Sequence, residues 1–266
     1  MRLDQLIAAH TPYSRKEVKL LLRQKQIKVN DLIILKSDTK VQPEQDTITI
    51  KGEPLVLRPS SRYLLLNKPA GYVCATEDAR DPTVLELVPD ALQCKGLFPA
   101  GRLDKDSKGL VLLTTDGALA HRMLAPKRHV PKYYLVRLAR PFSTTYSDAF
   151  QAGISLRDGS LCLPAETAPL PELGDTWALV GLQEGKYHQI KRMFAALGNH
   201  VEELIRIGIG DLFLPPDLQL GSCMELLDKD LEKLLNCETT FSAKLQSLKK
   251  KFVIFDKCNN IILGNK

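Results

Sequence analysis

A single tryptophan in 266 residues, with all aromatics together at 6%, leaves no array of rings on which a polysaccharide could be laid. A carbohydrate-processing surface is therefore not expected. No apolar run reaches the roughly 20 residues that a helix needs to cross a bilayer. The opening MRLDQLIAAH has neither the long apolar core nor the small-residue cleavage site of a secretory leader. A soluble, cytoplasmic protein with no membrane partner is the expectation. Six cysteines, Cys74, Cys94, Cys162, Cys223, Cys237 and Cys258, include no CxxC pair and no matching histidine spacing. Neither a zinc site nor a disulfide framework is signalled, and reduced thiols fit the pattern.

What the chain does have is an excess of positive charge. Lys and Arg outnumber Asp and Glu by 37 to 31, for a net charge of +6. That balance favours a polyanionic partner, nucleic acid first. The length holds either one large domain or a small one followed by a medium one.

Leu3, Leu6, Ile7 and His10 recur at helical spacing until Thr11 and Pro12 break the run. Ser14 then stands three residues before Glu17, a capping box that opens a second helix through Val18, Leu20, Leu21 and Leu22. The remaining positions of that helix carry Arg15, Lys16, Lys19 and Arg23 against the lone acid Glu17. Clustered cations of this kind are the footprint of phosphate binding, and also the look of a solvated helix face. Asn30 and Asp31 between two strand-like runs signal a hairpin, and DTITI adds a strand. GEPLVLRPSSR, residues 52–62, reads as a linker.

Beyond it, Tyr63 to Asn67, Tyr133 to Leu138, Thr176 to Gly181 and Val201 to Ile209 read as strands. Helical patterns are expected in DPTVLELVP, in ALAHRMLAP, in the stretch through Met193 and Leu197, and from Met224 to Leu235. Alternation sends Tyr133 and Tyr134 to opposite faces of their strand. Lys127, Arg128, His129 and Lys132 lead into it. From Glu238 the chain turns basic and then apolar, which suits an extra hairpin or a loosely ordered tail.

The centre of the chain is GRLDKDSKGLVLLTTDG, residues 101–117. Its apolar second half reads as a core strand, which sets Asp104 at the mouth of something packed, beside the cation of Arg102. A carboxylate held there in ionised form suits a nucleophile or a general base, although many such residues only terminate a turn. Lys68, in the turn KPAG after a strand, is placed either to meet an anion or to sit in solvent.

Two resemblances follow from these motifs. MRLDQLIAAHTPYSRKEVKLLLRQKQIKVND resembles the alpha-L RNA-binding module, in which the basic second helix grips structured RNA. LNKPAGYVCATED, GRLDKDSKGLVLLTTDG, KYYLV and EGKYHQIKRMFAALGNHVEELIRIGIGDL, in that order, resemble the RsuA family of ribosomal pseudouridine synthases of the small-subunit 16S rRNA type. The resemblance runs from Met1 to about Leu235 and implies an α+β fold. A small alpha-L domain over residues 1–58 would precede a catalytic domain over 59–236, built on a mixed, mainly antiparallel sheet with flanking helices. Residues 237–266 would form a tail.

The implied reaction is isomerisation of one uridine in rRNA, with the base detached at N1, turned and rejoined through C5. On that reading Asp104 is the catalytic carboxylate and Tyr134 stacks on the flipped base. Lys191, at the position where relatives carry Arg directly after HQI, keeps Asp104 ionised, with Arg192 as the alternative because Arg gives a bidentate pair. Adjacent helical residues point about 100° apart, so only one of the two is expected to reach it. Arg102 would help extrude the base, contact a phosphate or form a structural ion pair, and Lys68 and Lys132 join Arg15, Lys16, Lys19 and Arg23 as RNA contacts. His188 belongs to the scaffold of the motif.

No step needs a metal or cofactor, and none is expected. The partner would be ribosomal RNA or a small-subunit assembly intermediate, met by a monomer. Three rival readings are an inactive assembly factor with the same basic surface, a large-subunit synthase, and a glycosidase using Asp104 and Asp106.

Overall fold

The computed structural model describes residues 1–57, 61–125 and 130–248. Lys127, Arg128, His129 and the tail beyond 248 lie outside the described residues. The chain divides into two compact units, Met1–Ser61 and Arg62–Lys266.

In the first unit, α1 (Leu3–His10) and α2 (Arg15–Arg23) precede β1 (Ile27–Val29), β2 (Leu32–Ile33), β3 (Ile48–Ile50) and β4 (Glu53–Pro54). The capping box forms as the spacing predicts: Ser14 Oγ accepts from the Glu17 N–H while the Glu17 carboxylate accepts from the Ser14 N–H. Asn30 and Asp31, with φ of 49° and 64°, make the hairpin turn that pairs Val29 with Leu32. Leu3, Leu6, Ile7, Val18, Leu21, Leu22, Ile27 and Ile48 close a core of their own. The expected linker starts too early, because Glu53 and Pro54 turn back through Lys51 and Gly52 to pair with β3.

The second unit begins with β5 (Tyr63–Lys68), β6 (Phe98–Ala100), β7 (Lys108–Thr114), α3 (Gly117–Leu124) and β8 (Lys132–Leu138). There follow α4 (Thr145–Ala152), β9 (Glu166–Pro169), β10 (Trp177–Leu182), α5 (Gln189–Ala196), β11 (Val201–Ile209), β12 (Leu212–Phe213), β13 (Cys223–Glu225) and α6 (Asp228–Leu235). Residues 241–248 form a last helix, α7. Nine strands make one sheet in the order β13-β5-β7-β11-β8-β10-β9, with β12 added to β11 and β6 to β7. Every neighbouring pair among them is antiparallel except β7 and β11.

The central strands are apolar on both faces because both are covered. Leu64, Leu66, Val111, Leu113, Tyr134 and Val136 pack on one face with Phe150, Ile190, Met193 and Phe194 of α4 and α5. Leu65, Leu110 and Leu112 pack on the other with Leu119, Met123 and Leu234 of α3 and α6. Farther along that second face, Tyr133, Leu135, Leu179, Ile205 and Ile207 meet Phe241 and Leu248 of α7. The two tyrosines thus part to opposite faces, as alternation requires.

Three local expectations differ. DPTVLELVP gives only a 3₁₀ turn over Val84–Leu87, capped by Thr83 and Glu86 and confined between Pro82 and Pro89. Met224 lies in β13 against Leu65, so the last acidic helix starts at Asp228. The start of the tail is neither a hairpin nor loose, since α7 buries Phe241, Lys244 and Leu248.

Candidate active site

One row of residues crosses the sheet on paired positions: Lys68 on β5, Gly109 on β7, Arg206 on β11, Tyr134 on β8 and Val180 on β10. Gly109 holds φ at +101°, and a Cβ there would fall 2.2 Å from the Arg206 carbonyl oxygen. Only glycine permits that approach.

The two cations of the row hold the loop 102–107 by its main chain. Lys68 is 0% exposed, and its Nζ donates to the carbonyls of Pro69 at 3.1 Å, Asp104 at 3.0 Å, Lys105 at 3.1 Å and Ser107 at 2.7 Å. Three ammonium protons serve four acceptors, so one proton is shared. Arg206, also buried, donates from Nε to the Leu110 carbonyl at 2.8 Å and from Nη1 to the Arg102 carbonyl at 3.2 Å. Burial pushes the Lys68 ammonium down to about 8.

Because these cations spend their hydrogen bonds on carbonyls, the Asp104 carboxylate remains available. It is partly exposed and lies 3.5 Å from His188 Nε2 through one oxygen and 3.5 Å from Lys191 Nζ through the other. Both partners come from the start of α5, where the helix N-terminus also favours negative charge. His188 sits in the left-handed region at φ 48°. Gln189 braces this entry by accepting from the Lys186 N–H at 2.9 Å and donating to Glu184 at 2.6 Å.

Lys191 has a nearer partner in Asp106, at 2.6 and 2.7 Å. Burial works to raise the Asp106 pKa, and the hydrogen bond and charge of Lys191 override it and hold the carboxyl below its usual range. Lys191 therefore stands between two carboxylates, closer to the one outside the GRLD motif.

Arg192 does not reach Asp104. Its guanidinium meets Asp158 at 2.5 Å and donates to the Tyr187 carbonyl at 3.4 Å. Asp158 is held at about 2 by the Ser160 hydroxyl and N–H and then by Arg192. The choice left open between Lys191 and Arg192 falls to Lys191, in keeping with the angular separation of adjacent helical residues.

One further expectation needs correction. Lys68 is sealed inside the sheet, where no RNA phosphate can meet it. Lys132 is half-buried at the start of β8, where burial and then the nearby charge of Arg206 take it down to about 8. Arg102, Arg15, Lys16, Lys19 and Arg23 are exposed. Tyr134 is 9% exposed within the cluster that includes Leu103 and Ile190.

The sequence pattern does not single out Arg206, and it offers Asp106 only as the second carboxylate of the glycosidase reading. An arginine inside the otherwise apolar LIRIGI, in a strand, was the available signal for the first. Nothing in the spacing marked the second as the nearer partner of Lys191.

The assembled site is a partly exposed carboxylate flanked by two cationic or hydrogen-bonding groups, next in sequence to Leu103 of the cluster that holds Tyr134. Such a carboxylate can attack an electrophilic carbon or take up a proton as a general base. Residues 62–196 match the family described as RNA pseudouridylate synthase. The small-subunit pseudouridine synthase A of Haemophilus influenzae is 41% identical over 88% of this chain and 100% of its own length. An uncharacterized RNA pseudouridine synthase of Bacillus subtilis is 39% identical over 88% of this chain and 98% of its own. A solved pseudouridylate synthase superposes with a TM-score of 0.61 at 39% identity, covering 88% of this chain and 99% of that one. By sequence, by fold and by the residues gathered around Asp104, the chain belongs to the RNA pseudouridylate synthase family.

Proposed function

We propose that this protein isomerises one uridine of small-subunit ribosomal RNA, with Asp104 as the catalytic carboxylate. The observation that carries the reading is the placement of that side chain, partly exposed and 3.5 Å from both His188 and Lys191, on a loop fixed from beneath. The C1′–N1 bond of the uridine breaks, the freed uracil turns, and a C1′–C5 bond forms; N1 ends with a proton and C5 gives one up. Asp104 either traps C1′ covalently or takes a proton from C2′.

A stacked uridine is out of reach, so the nucleotide is extruded at a cost of a few kcal/mol. Tyr134 forms the floor on which the base rests, Lys191 keeps the carboxylate charged, and Arg102 occupies the space the base leaves. The first unit serves as the alpha-L RNA-binding module, with Arg15, Lys16, Lys19 and Arg23 on phosphates. Support for the ribosomal substrate comes from the Haemophilus influenzae small-subunit relative named above and from the net charge of +6.

Pseudouridine mapping of both ribosomal RNAs, from cells with and without the gene, tests this. A single small-subunit position that disappears with the gene is expected. Loss of a large-subunit position instead reassigns the substrate, and no change in either RNA rejects the proposal.

A further inference from the structure

The reaction employs Asp104, Tyr134 and Lys191, and leaves Tyr187 without a role. This ring is 76% exposed. It lies on the imidazole of His188, with centroids 3.9 Å and planes 16° apart, and His188 Nε2 is itself 3.5 Å from Asp104 Oδ1. One imidazole therefore separates Tyr187 from the catalytic carboxylate. Its carbonyl accepts from Arg192, which Asp158 anchors in turn at 2.5 Å, so the residue stands on a braced segment. The left-handed backbone of His188, at φ 48°, is a strained conformation held at the mouth of a site, where such strain concentrates. Lys186, Lys191 and Arg192 lie within five residues of Tyr187 and are paired with Glu184, Asp106 and Asp158.

We propose that Tyr187 is a stacking platform for the base adjacent to the target uridine in the RNA strand. The assignment rests on the uridine-isomerising reading of the site. Extruding a nucleotide takes a stacking partner away from each of its neighbours. A rigidly backed ring one imidazole away from the carboxylate replaces one such partner, and it does so for any base because every base has a π-face.

The test uses steady-state kinetics of the full chain on a ribosomal RNA fragment that the wild type isomerises, intact or with an abasic nucleotide immediately 5′ or 3′ of the target. Tyr187→Ala is expected to raise KM about tenfold, in the range of single base–aromatic stacks, while kcat stays within about twofold; Tyr187→Trp restores KM. With the flanking base removed on the correct side, wild type and Tyr187→Ala should become equal. An unchanged KM in Tyr187→Ala, or a penalty that persists on both abasic substrates, overturns the assignment. So does a fall in kcat with a shifted pH profile and constant KM, which would mean that the ring only orients His188. These results leave uridine isomerisation standing, whereas failure of the wild type to isomerise any small-subunit fragment removes both readings together.

Discussion

Two lysines are almost wholly buried on opposite faces of the same sheet, and they are compensated in different ways. Lys68, 0% exposed, gives its protons to four main-chain carbonyls around the Asp104 loop. Lys244, 3% exposed, meets the Asp211 carboxylate at 2.8 Å and the Gly210 carbonyl at 2.7 Å, and lies 4.1 Å over the ring of Tyr133. The second is a complete ion pair that fastens α7 to the sheet. The first has dipoles in place of a counter-ion, which fixes the backbone of a loop without neutralising the carboxylate that loop presents. A cation can shape a catalytic segment best when it does not consume the charge the segment exists to display.

The largest effect should come from removing that displayed charge. Asp104→Asn is expected to abolish tritium release from C5-labelled RNA, while affinity for the same RNA stays within a few fold. Turnover at the wild-type rate would remove the carboxylate from the mechanism.

Lys68→Met should come next. Four carbonyls lose their donor, and misplacement of a reacting group by about 1 Å costs on the order of 10²-fold, so kcat is expected to fall by about that factor. Unfolding stability should fall too, by about 3–5 kcal/mol as for other uncompensated buried polar clusters. A variant with normal kcat would show that the loop holds itself.

Lys191→Ala is expected to lower kcat by roughly 10-fold to 100-fold, in line with loss of a group that sets the charge of a catalytic acid or base. Arg192→Ala should change kcat by no more than about threefold. The reverse ranking would mean that Arg192 swings to Asp104 when RNA is bound.

Lys68 also carries a pH dependence of definite sign. Burial places Lys68 at about 8, against an ordinary 10.5. The folded chain thus releases this proton before the unfolded chain does. The penalty for burying the charge is present in full below pH 8 and is relieved between 8 and 10.5, so the contribution of this group to stability rises with pH in that window. Its hold on the loop weakens over the same window, since a neutral amine offers two protons to four carbonyls. Activity should therefore decline above about pH 8 without a matching loss in melting temperature, and the contribution should be missing from the melting curves of Lys68→Met.

Lys244→Met should leave kcat within about twofold, the smallest effect on activity in the series. Its loss leaves the half-buried Asp211 without its cation, so stability should drop by about 1–3 kcal/mol. A fall in kcat as large as that for Lys68→Met would erase the distinction between the two faces.

Much of this architecture is legible in the sequence. The Ser14–Glu17 box, the Asn30–Asp31 turn and the separation of Tyr133 from Tyr134 each depend on residues close together in the chain. The position of Asp104 beside the HQIK segment was available only through family resemblance. Lys68 was misjudged because its acceptors are carbonyls up to 39 residues away, and a carbonyl has no letter in a sequence. The partner of Arg192, Asp158, is not legible because it lies between α4 and β9, which the sequence pattern does not predict. Helix α7 escaped for a related reason: its apolar residues are few, and what they cover is visible only once β8 and β10 are paired.

The missing side chain at Gly109 has a wider consequence than local fit. It lies where β7 runs parallel to β11, the seam between the part of the sheet that carries Lys68 and the part that carries Tyr134. With only 2.2 Å between a would-be methyl and the Arg206 oxygen, any substituent must push the two parts away from each other. Carboxylate and ring would then drift apart together with their strands, so the aim of the whole reaction centre is set by an atom the chain leaves out.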